Sequence, residues 1–185
     1  MHRILIIGGN GSGKTTMSSI LAERTGLPLV HLDALYWTAN WVPREREDFI
    51  RLLQAELEKP EWIMDGNMRR TLPMRLPYCD TVIYLDFPGI VCFFGTIRRI
   101  FQNYGKSRAD MGGSCIERFD RRSWKFIRST LSFNKKNRKY FYTEIGRFPD
   151  VTLIVLKNRK QVRRFLENIG QSEESGENKG RITPD

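Results

Sequence analysis

The chain has 185 residues, a formal net charge of +10 and 40% hydrophobic residues, which suits a single domain with an apolar core. Its three cysteines are widely spaced and odd in number, and it has only two histidines, which argues against a disulfide framework or a zinc site. No apolar run reaches the length of a transmembrane helix, so we expect a cytoplasmic protein without a membrane partner.

The first predicted element is a short buried strand over residues 3–7, which leads into a glycine-rich loop. The loop, Gly8–Thr15, fits G-x-x-x-x-G-K-[ST] at every fixed position. A helix should follow, because Met17, Ile20 and Leu21 are spaced for one helical face and Gly26 stands where a C-cap belongs. Strand, loop and helix in this order predict a P-loop that binds ATP or GTP through Gly8, Gly9, Asn10, Gly11, Ser12, Gly13, Lys14, Thr15 and Thr16.

Each part of this loop has a task on a nucleoside triphosphate. Glycines let backbone N–H groups close around phosphate oxygens, and the helix that follows turns its positive end toward the anion. Lys14 is expected to reach the β- and γ-phosphates, and Thr15 to offer its hydroxyl to Mg²⁺. ATP and Mg²⁺ are therefore the predicted cofactors.

Four further apolar runs have the character of buried strands, and amphipathic helices are predicted between them. The runs are Leu29–Leu32, Trp62–Met64, Thr81–Leu85 and Val151–Leu156. Helical spacing covers residues 49–57 and 162–169. Alternating strands and helices predict a P-loop NTPase fold, with three α/β/α layers, a five-stranded parallel sheet and an inserted helical lid.

A carboxylate follows three of these strands, and the carboxyl ends of parallel strands are where ligands bind. Asp65 is the best candidate for the metal's outer sphere, and Asp86 follows its strand in the manner of a Walker B acid. Asp33 is the candidate to orient an acceptor hydroxyl or to take its proton. Each of the three would otherwise cap a helix or form a turn.

Three aromatic residues follow Asp33, namely Tyr36, Trp37 and Trp41. They are suited to stacking on a base or sugar ring. Covering the edge of the core is an equally good interpretation.

The long gap between the fourth and fifth strands, residues 86–150, is predicted to hold helices around a mobile lid at about 98–140. Residues 98–139 contain 13 basic and three acidic residues, so this segment accounts for the entire net charge. Such a cluster attracts phosphorylated small molecules or nucleic acid, although a solvated helical face is the commoner meaning of a charge run.

Cations must converge on the transferred group in phosphoryl transfer. Arginine is better suited than lysine to grip phosphate with a planar fork. The candidates from the loops and the lid are Arg69, Arg98, Arg99, Arg108, Arg118 and Arg138.

The domain is predicted to span residues 1–170, and residues 171–185 to form a disordered tail. This tail is rich in Glu, Ser, Gly and Asn and has almost no apolar residues. The sequence leaves the oligomeric state open.

The chain resembles the adenylate-kinase-like P-loop kinases, and more closely the group of DNA topology modulation proteins related to FlaR. The segments that carry the resemblance are Gly8–Thr16, His31–Trp37, Met64–Arg70, Asp80–Pro88 and Arg108–Asp120. It covers residues 1 to about 170 and implies a five-stranded parallel core, an acceptor region after the second strand and a closing lid.

By this resemblance, Asp65 corresponds to the Asp of the adenylate-kinase D-G-F-P-R motif and Arg69 to its phosphate-gripping Arg. Arg118 and Arg138 stand farther apart than the matching lid arginines. The loop Leu156–Gln161 is expected near adenine. The P-loop lacks the usual Pro, and the stretch that holds AMP in adenylate kinases is absent, so the resemblance does not identify AMP as the acceptor.

Two functions fit these observations. The first is a kinase that moves the γ-phosphoryl group of ATP to a nucleotide or another small hydroxylated or phosphorylated acceptor, with Lys14, Asp33, Arg69, Arg118 and Arg138 as catalytic residues and Thr15, Asp65 and Asp86 around the metal. The second is an ATP-binding protein that contacts nucleic acid through the basic segment. A GTPase is disfavoured because Asn134–Asn137 fails the N-K-x-D guanine signature at its last position.

Overall fold

The computed structural model describes residues 1–107, 110–113 and 115–174. Its helices are α1 Lys14–Thr25, α2 Leu32–Tyr36, α3 Arg46–Leu57, α4 Leu72–Arg75, α5 Gly89–Gln102, α6 Arg121–Ile145 and α7 Arg159–Glu174. Its strands are β1 Arg3–Gly8, β2 Leu29–His31, β3 Trp37–Thr38, β4 Val42–Pro43, β5 Trp62–Asp65, β6 Thr81–Leu85 and β7 Thr152–Leu156. Short 3₁₀ turns occupy Ala39–Trp41, Arg69–Thr71 and Leu76–Tyr78.

Five strands form one parallel sheet in the order β2-β5-β1-β6-β7, while β3 and β4 pair as a separate antiparallel hairpin. In β1, Leu5 and Ile7 face a cluster that includes residues of α3, α4 and α6. Ile4 and Ile6 face the opposite cluster, which includes residues of α1, α5 and α7. All four side chains are fully buried, which explains the continuous apolar run. The predicted three-layer α/β/α fold is confirmed.

The strand order places the candidate site at the carboxyl end of β1. Since β1 lies between β5 and β6, the chain leaves it with a partner strand on either side. The crevice at such a point is where open α/β sheets bind ligands. Gly8, His31, Asp65 and Leu85 end their strands at this one edge.

Several element ends differ by a residue or more from the sequence-based prediction, and two of these differences change where a predicted residue or segment lies. Strand β2 ends at His31, and Leu32 already belongs to α2, where its side chain is fully buried in the core. Asp33 is therefore in the first turn of a short helix. Helix α7 continues to Glu174, into the first four residues of the predicted disordered tail. The remainder of that tail, 175–185, lies outside the described residues.

The segment between β6 and β7 consists of α5, a connection over residues 103–120, and α6. The two helices pack closely, since a Cβ atom on Gly89 would lie 1.9 Å from the carbonyl oxygen of Leu131. Phe141 and Ile145 of α6 are buried in the core, so the C-terminal part of α6 is a sheet-covering helix. Within the described residues, no helix has both the length and the apolarity needed to cross a membrane.

Candidate active site

The glycine-rich loop is pressed against the backbone of α5. A Cβ atom on Gly95 would lie 2.1 Å from the carbonyl oxygen of Gly11, and one on Gly11 would lie 2.2 Å from the carbonyl oxygen of Cys92. Gly11 and Gly13 also have positive φ angles of 79° and 93°. Both positions therefore need glycine, and the loop leads directly into the N-terminus of α1.

Lys14 crosses the loop that it follows. Its Nζ donates to the carbonyl oxygens of Gly8 at 3.0 Å and Gly9 at 3.1 Å. Burial lowers the pKa of Lys14, while the negative charges of Asp65 and Asp33 raise it. The ammonium is thus placed among the loop carbonyls and within the field of two of the predicted acids.

Thr15 and Asp65 form the pair expected of a metal-binding P-loop. The Thr15 hydroxyl donates to Asp65 Oδ2 at 2.8 Å, and His31 Nδ1 lies 3.5 Å from the same oxygen. Asp65 is only 6% exposed, and its second oxygen, Oδ1, has no hydrogen-bond partner. A buried carboxylate oxygen without a donor beside a Thr hydroxyl is an arrangement that fits Mg²⁺ and its waters.

A divalent ion would need ligands from the nucleotide as well. Among the described residues, no group of three or more His, Cys, Asp or Glu side chains is arranged to hold a metal by itself. Mg²⁺ usually binds through one or two carboxylates together with substrate phosphates, and the Thr15–Asp65 pair suits that mode.

A cleft of about 1130 Å³ lies over the loop and brings most of the predicted site together. The sequence-predicted residues that line it are Asn10, Gly11, Ser12, Gly13, Lys14, Thr15, Thr16, Asp33, Asp65, Trp37, Trp41, Arg98, Arg99 and Arg118. Arg159, from the segment expected near adenine, also lines it. Arg108 lies outside the described residues.

Gly8 and Gly9 of the loop do not line the cleft, and neither do three predicted catalytic or metal residues, Arg69, Asp86 and Arg138. Asp86 is buried and paired with Arg138, whose Nε lies 2.9 Å from Asp86 Oδ2. The Thr15 hydroxyl donates to Asp65, whereas the carboxylate of Asp86 is paired with Arg138. Arg69 lies over the ring of Tyr140, 4.1 Å from its centroid. Asp86, predicted near the metal, and Arg138, predicted near phosphate, are thus engaged in an ion pair with each other. Arg69, also predicted near phosphate, is engaged in a cation–π contact.

The three aromatic residues after β2 divide between the two interpretations. Tyr36 packs edge-on against Phe49, with centroids 5.4 Å apart, and joins the core. Trp37 and Trp41 line the cleft and contact each other edge-on at 5.8 Å.

Asn67, which sequence reasoning did not select, holds the start of the loop. Its Oδ1 accepts from the Gly8 N–H at 2.9 Å, and its Nδ2 donates to the Gly8 carbonyl at 2.6 Å. Pairing between β1 and β5 ends at Ile6 and Asp65, so the carboxamide continues the ladder where β5 has ended. The Gly8 carbonyl is also an acceptor for Lys14, and Asn67 therefore helps to position the ammonium.

The Asn67 loop is itself held by a buried cation. Arg75 is fully buried and donates to the carbonyl oxygens of Gly66 at 3.0 Å and Asn67 at 2.7 Å. Desolvation lowers the pKa of Arg75 to about 10, so its guanidinium remains charged at neutral pH. In the sequence, Asn67 belongs only to the segment Met64–Arg70 that carries the family resemblance, and no sequence pattern identifies its contacts because they are made to backbone atoms.

Replacing Asn67 by Ala should weaken nucleotide binding in a protein that still folds. The change leaves the Gly8 N–H and carbonyl without their side-chain partner, which costs about 1–3 kcal/mol of stability and frees the carbonyl that positions Lys14. Fluorescent-nucleotide titration and thermal unfolding would measure both effects.

The matched control is Asn137→Ala, which removes a side chain-to-backbone hydrogen bond to Phe133 within α6. It should lower stability while nucleotide affinity is retained. A folded Asn67→Ala protein with wild-type nucleotide affinity would show that Asn67 does not position the loop.

Comparison with known proteins supports the fold through structure and not through sequence. No protein-family model matches the sequence, and no curated protein matches it. Solved structures do match over almost the whole chain. Shikimate kinase from Acinetobacter baumannii, in complex with shikimate, has a TM-score of 0.54 at 19% identity, with 97% of each chain covered.

Two further solved structures give the same result. Shikimate kinase from Bacteroides thetaiotaomicron has a TM-score of 0.51 at 18% identity, covering 94% of this chain and 98% of its own. A gluconokinase from Sinorhizobium meliloti 1021 has a TM-score of 0.52 at 15% identity, covering 97% and 98%. This chain therefore has the α/β fold of P-loop kinases, the adenylate-kinase-like fold.

Proposed function

We propose that the protein is a phosphotransferase that moves the γ-phosphoryl group of ATP, with Mg²⁺, to a small hydroxylated or phosphorylated molecule or a nucleotide. The observation that carries this proposal is the hydrogen bond from Thr15 to Asp65 beside Lys14, at the floor of a cleft that also contains Asp33. The similar solved structures are named as kinases, and one of them is in complex with shikimate.

In this proposal the loop N–H groups and the N-terminus of α1 bind the triphosphate, and Lys14 neutralises the oxygens of the transferred group. Thr15 and Asp65 would hold Mg²⁺, which supplies charge neutralisation between the phosphates when it is bound. Arg98 and Arg99 at the end of α5 and Arg118 in the connection 103–120 also line the cleft and add positive charge there, and Arg99 lies 3.6 Å from the carboxylate of Glu117.

The acceptor is proposed to enter beside α2. Asp33 lines the cleft together with Lys14, and its carboxylate is the group that we propose orients the acceptor hydroxyl toward the phosphates. Trp37 and Trp41 form an apolar wall nearby, which suits the carbon face of a ring.

Lys14→Ala should reduce phosphotransfer by about 100-fold or more while the protein remains folded, because one preorganised positive charge is lost from the transition state. ADP release from ATP and Mg²⁺ would be measured against a panel of nucleoside monophosphates, nucleosides and small hydroxylated metabolites. Lys59→Ala is the matched control, since Lys59 is exposed and paired with Glu56.

A variant that releases ADP at the wild-type rate would show that Lys14 is not part of the reaction. A flat response of the wild-type protein to every acceptor in the panel would count against a kinase.

A second candidate function, contact with nucleic acid, is favoured by one surface. Phe101 and Phe119 are 66% and 47% exposed and stack on each other at 5.7 Å. Exposed Trp124 lies 6.2 Å from Phe119, measured between ring centroids, and the adjoining turn of α6 is rich in Arg and Lys. Exposed rings among cations suit single-stranded nucleic acid.

Under the kinase proposal, labelled single-stranded DNA should bind weakly and lose affinity steeply as salt is raised. Fluorescence anisotropy across a salt series would measure this affinity. The test protein is the double variant Phe101→Ala, Phe119→Ala, and the control is Val42→Ala, which removes an exposed apolar side chain from the β3–β4 hairpin. Tight binding at physiological salt that only the double variant loses would establish the second function.

A further inference from the structure

The connection between α5 and α6 brings a carboxylate to the P-loop. Asp110 Oδ2 lies 3.3 Å from the Thr15 hydroxyl oxygen, the same hydroxyl that donates to Asp65 Oδ2 at 2.8 Å. A hydroxyl has one proton and can donate to only one of these carboxylates at a time. Two acidic groups therefore converge on one P-loop side chain, although they come from β5 and from a connection 45 residues later in the chain.

The second carboxylate oxygen of Asp65, Oδ1, supports a cation site beside Thr15. Asp65 is more than nine-tenths buried, it lines the cleft, and its Oδ1 has no hydrogen-bond partner. Carboxylate and hydroxyl oxygens are the ligands that Mg²⁺ prefers. With Asp110 added, the protein presents Thr15, Asp65 and Asp110 to one point of the cleft.

Asp110 is held there by contacts to the acceptor side. A Cβ atom on Gly112 would lie 2.1 Å from the carbonyl oxygen of Ala34, so the two backbones touch. Trp41 Nε1 donates to the carbonyl oxygen of Ile116 at 3.0 Å, and Cys115 Sγ donates to that of Thr38 at 3.3 Å. The segment that carries Asp110 is therefore docked along residues 34–41.

We propose that Asp110 is a ligand, direct or through water, of the divalent cation that accompanies the bound nucleotide. The inference rests on the proposed function, because the cation must bring phosphate ligands with it. The proposal also connects the nucleotide site with the proposed acceptor site, because the segment that carries Asp110 packs against residues 34–41.

The proposal predicts that Asp110→Asn affects nucleotide binding differently with and without the metal. Without metal, its negative charge repels the phosphates, so Asp110→Asn should leave ADP affinity unchanged or raise it. With Mg²⁺, Asp110→Asn should lose about 10-fold or more of the affinity that the metal adds, as expected for loss of a group that supports a metal. A purely structural role would weaken both kinds of binding.

The experiment is calorimetric titration of the full-length protein with ADP, in EDTA and in Mg²⁺, for wild type, Asp110→Asn and Asp120→Asn. Asp120 is the matched control: it is an acid of the same connection whose side chain caps α6 through the Ser123 N–H, a task that Asn also performs. Asp120→Asn should keep the wild-type gain from Mg²⁺.

Equal gains from Mg²⁺ in wild type and Asp110→Asn would overturn the role of Asp110 and leave the proposed function intact. Parallel losses in EDTA and in Mg²⁺ would overturn it too, because they indicate a structural effect. If Mg²⁺ did not raise the ADP affinity of the wild-type protein, that result would count against the proposed function, and the role of Asp110, which rests on it, would be overturned as well.

Discussion

The hydrogen bond from Thr15 to Asp65 is the interaction on which this account depends. It joins the first turn of α1 to the carboxyl end of β5, and it exists because β5 pairs with β1 in parallel register. That register sets Asp65 level with Ile6, two residues before the loop begins. A sheet with the same helices but another strand order would separate the hydroxyl from the carboxylate.

The loop itself is held from two sides. The side chain of Asn67 pairs with both backbone groups of Gly8 where the sheet ends, and α5 lies against Gly11 at a distance that leaves no room for a side chain. Preorganisation of this kind matters for phosphoryl transfer, where the protein contributes positioning and electrostatic stabilisation rather than covalent chemistry. The charges are also unevenly distributed. Asp33 of α2, Asp65 of β5 and Asp110 of the connection line the same cleft as the loop, while residues 98–139, from α5 to α6, contain 13 of the 31 Lys and Arg residues.

Much of the fold could be read from the sequence, since five apolar runs, a P-loop and two helical faces have periodic patterns of their own. The floor of the site was also accessible, because Lys14, Thr15 and Asp65 belong to a motif and a strand end. The pairing of Asp86 with Arg138 could not be predicted from the sequence, for a physical reason. They form an ion pair across 52 residues of sequence, and only the packing of α6 on the sheet brings them together. Asn67 acts through hydrogen bonds to the backbone of Gly8, and Asp110 reaches Thr15 from a long connection. Neither kind of contact leaves a periodic pattern in the sequence.

The central claim is that this cleft transfers a phosphoryl group to a small molecule. It is tested most directly by incubating the protein and Mg²⁺ with ATP labelled on its γ-phosphate, together with fractions of a low-molecular-mass metabolite extract, and then following the label. The account predicts that in at least one fraction the label moves to a new phosphorylated compound in proportion to the ADP formed. Label that stays in ATP, or that appears only as inorganic phosphate in every fraction, would contradict it.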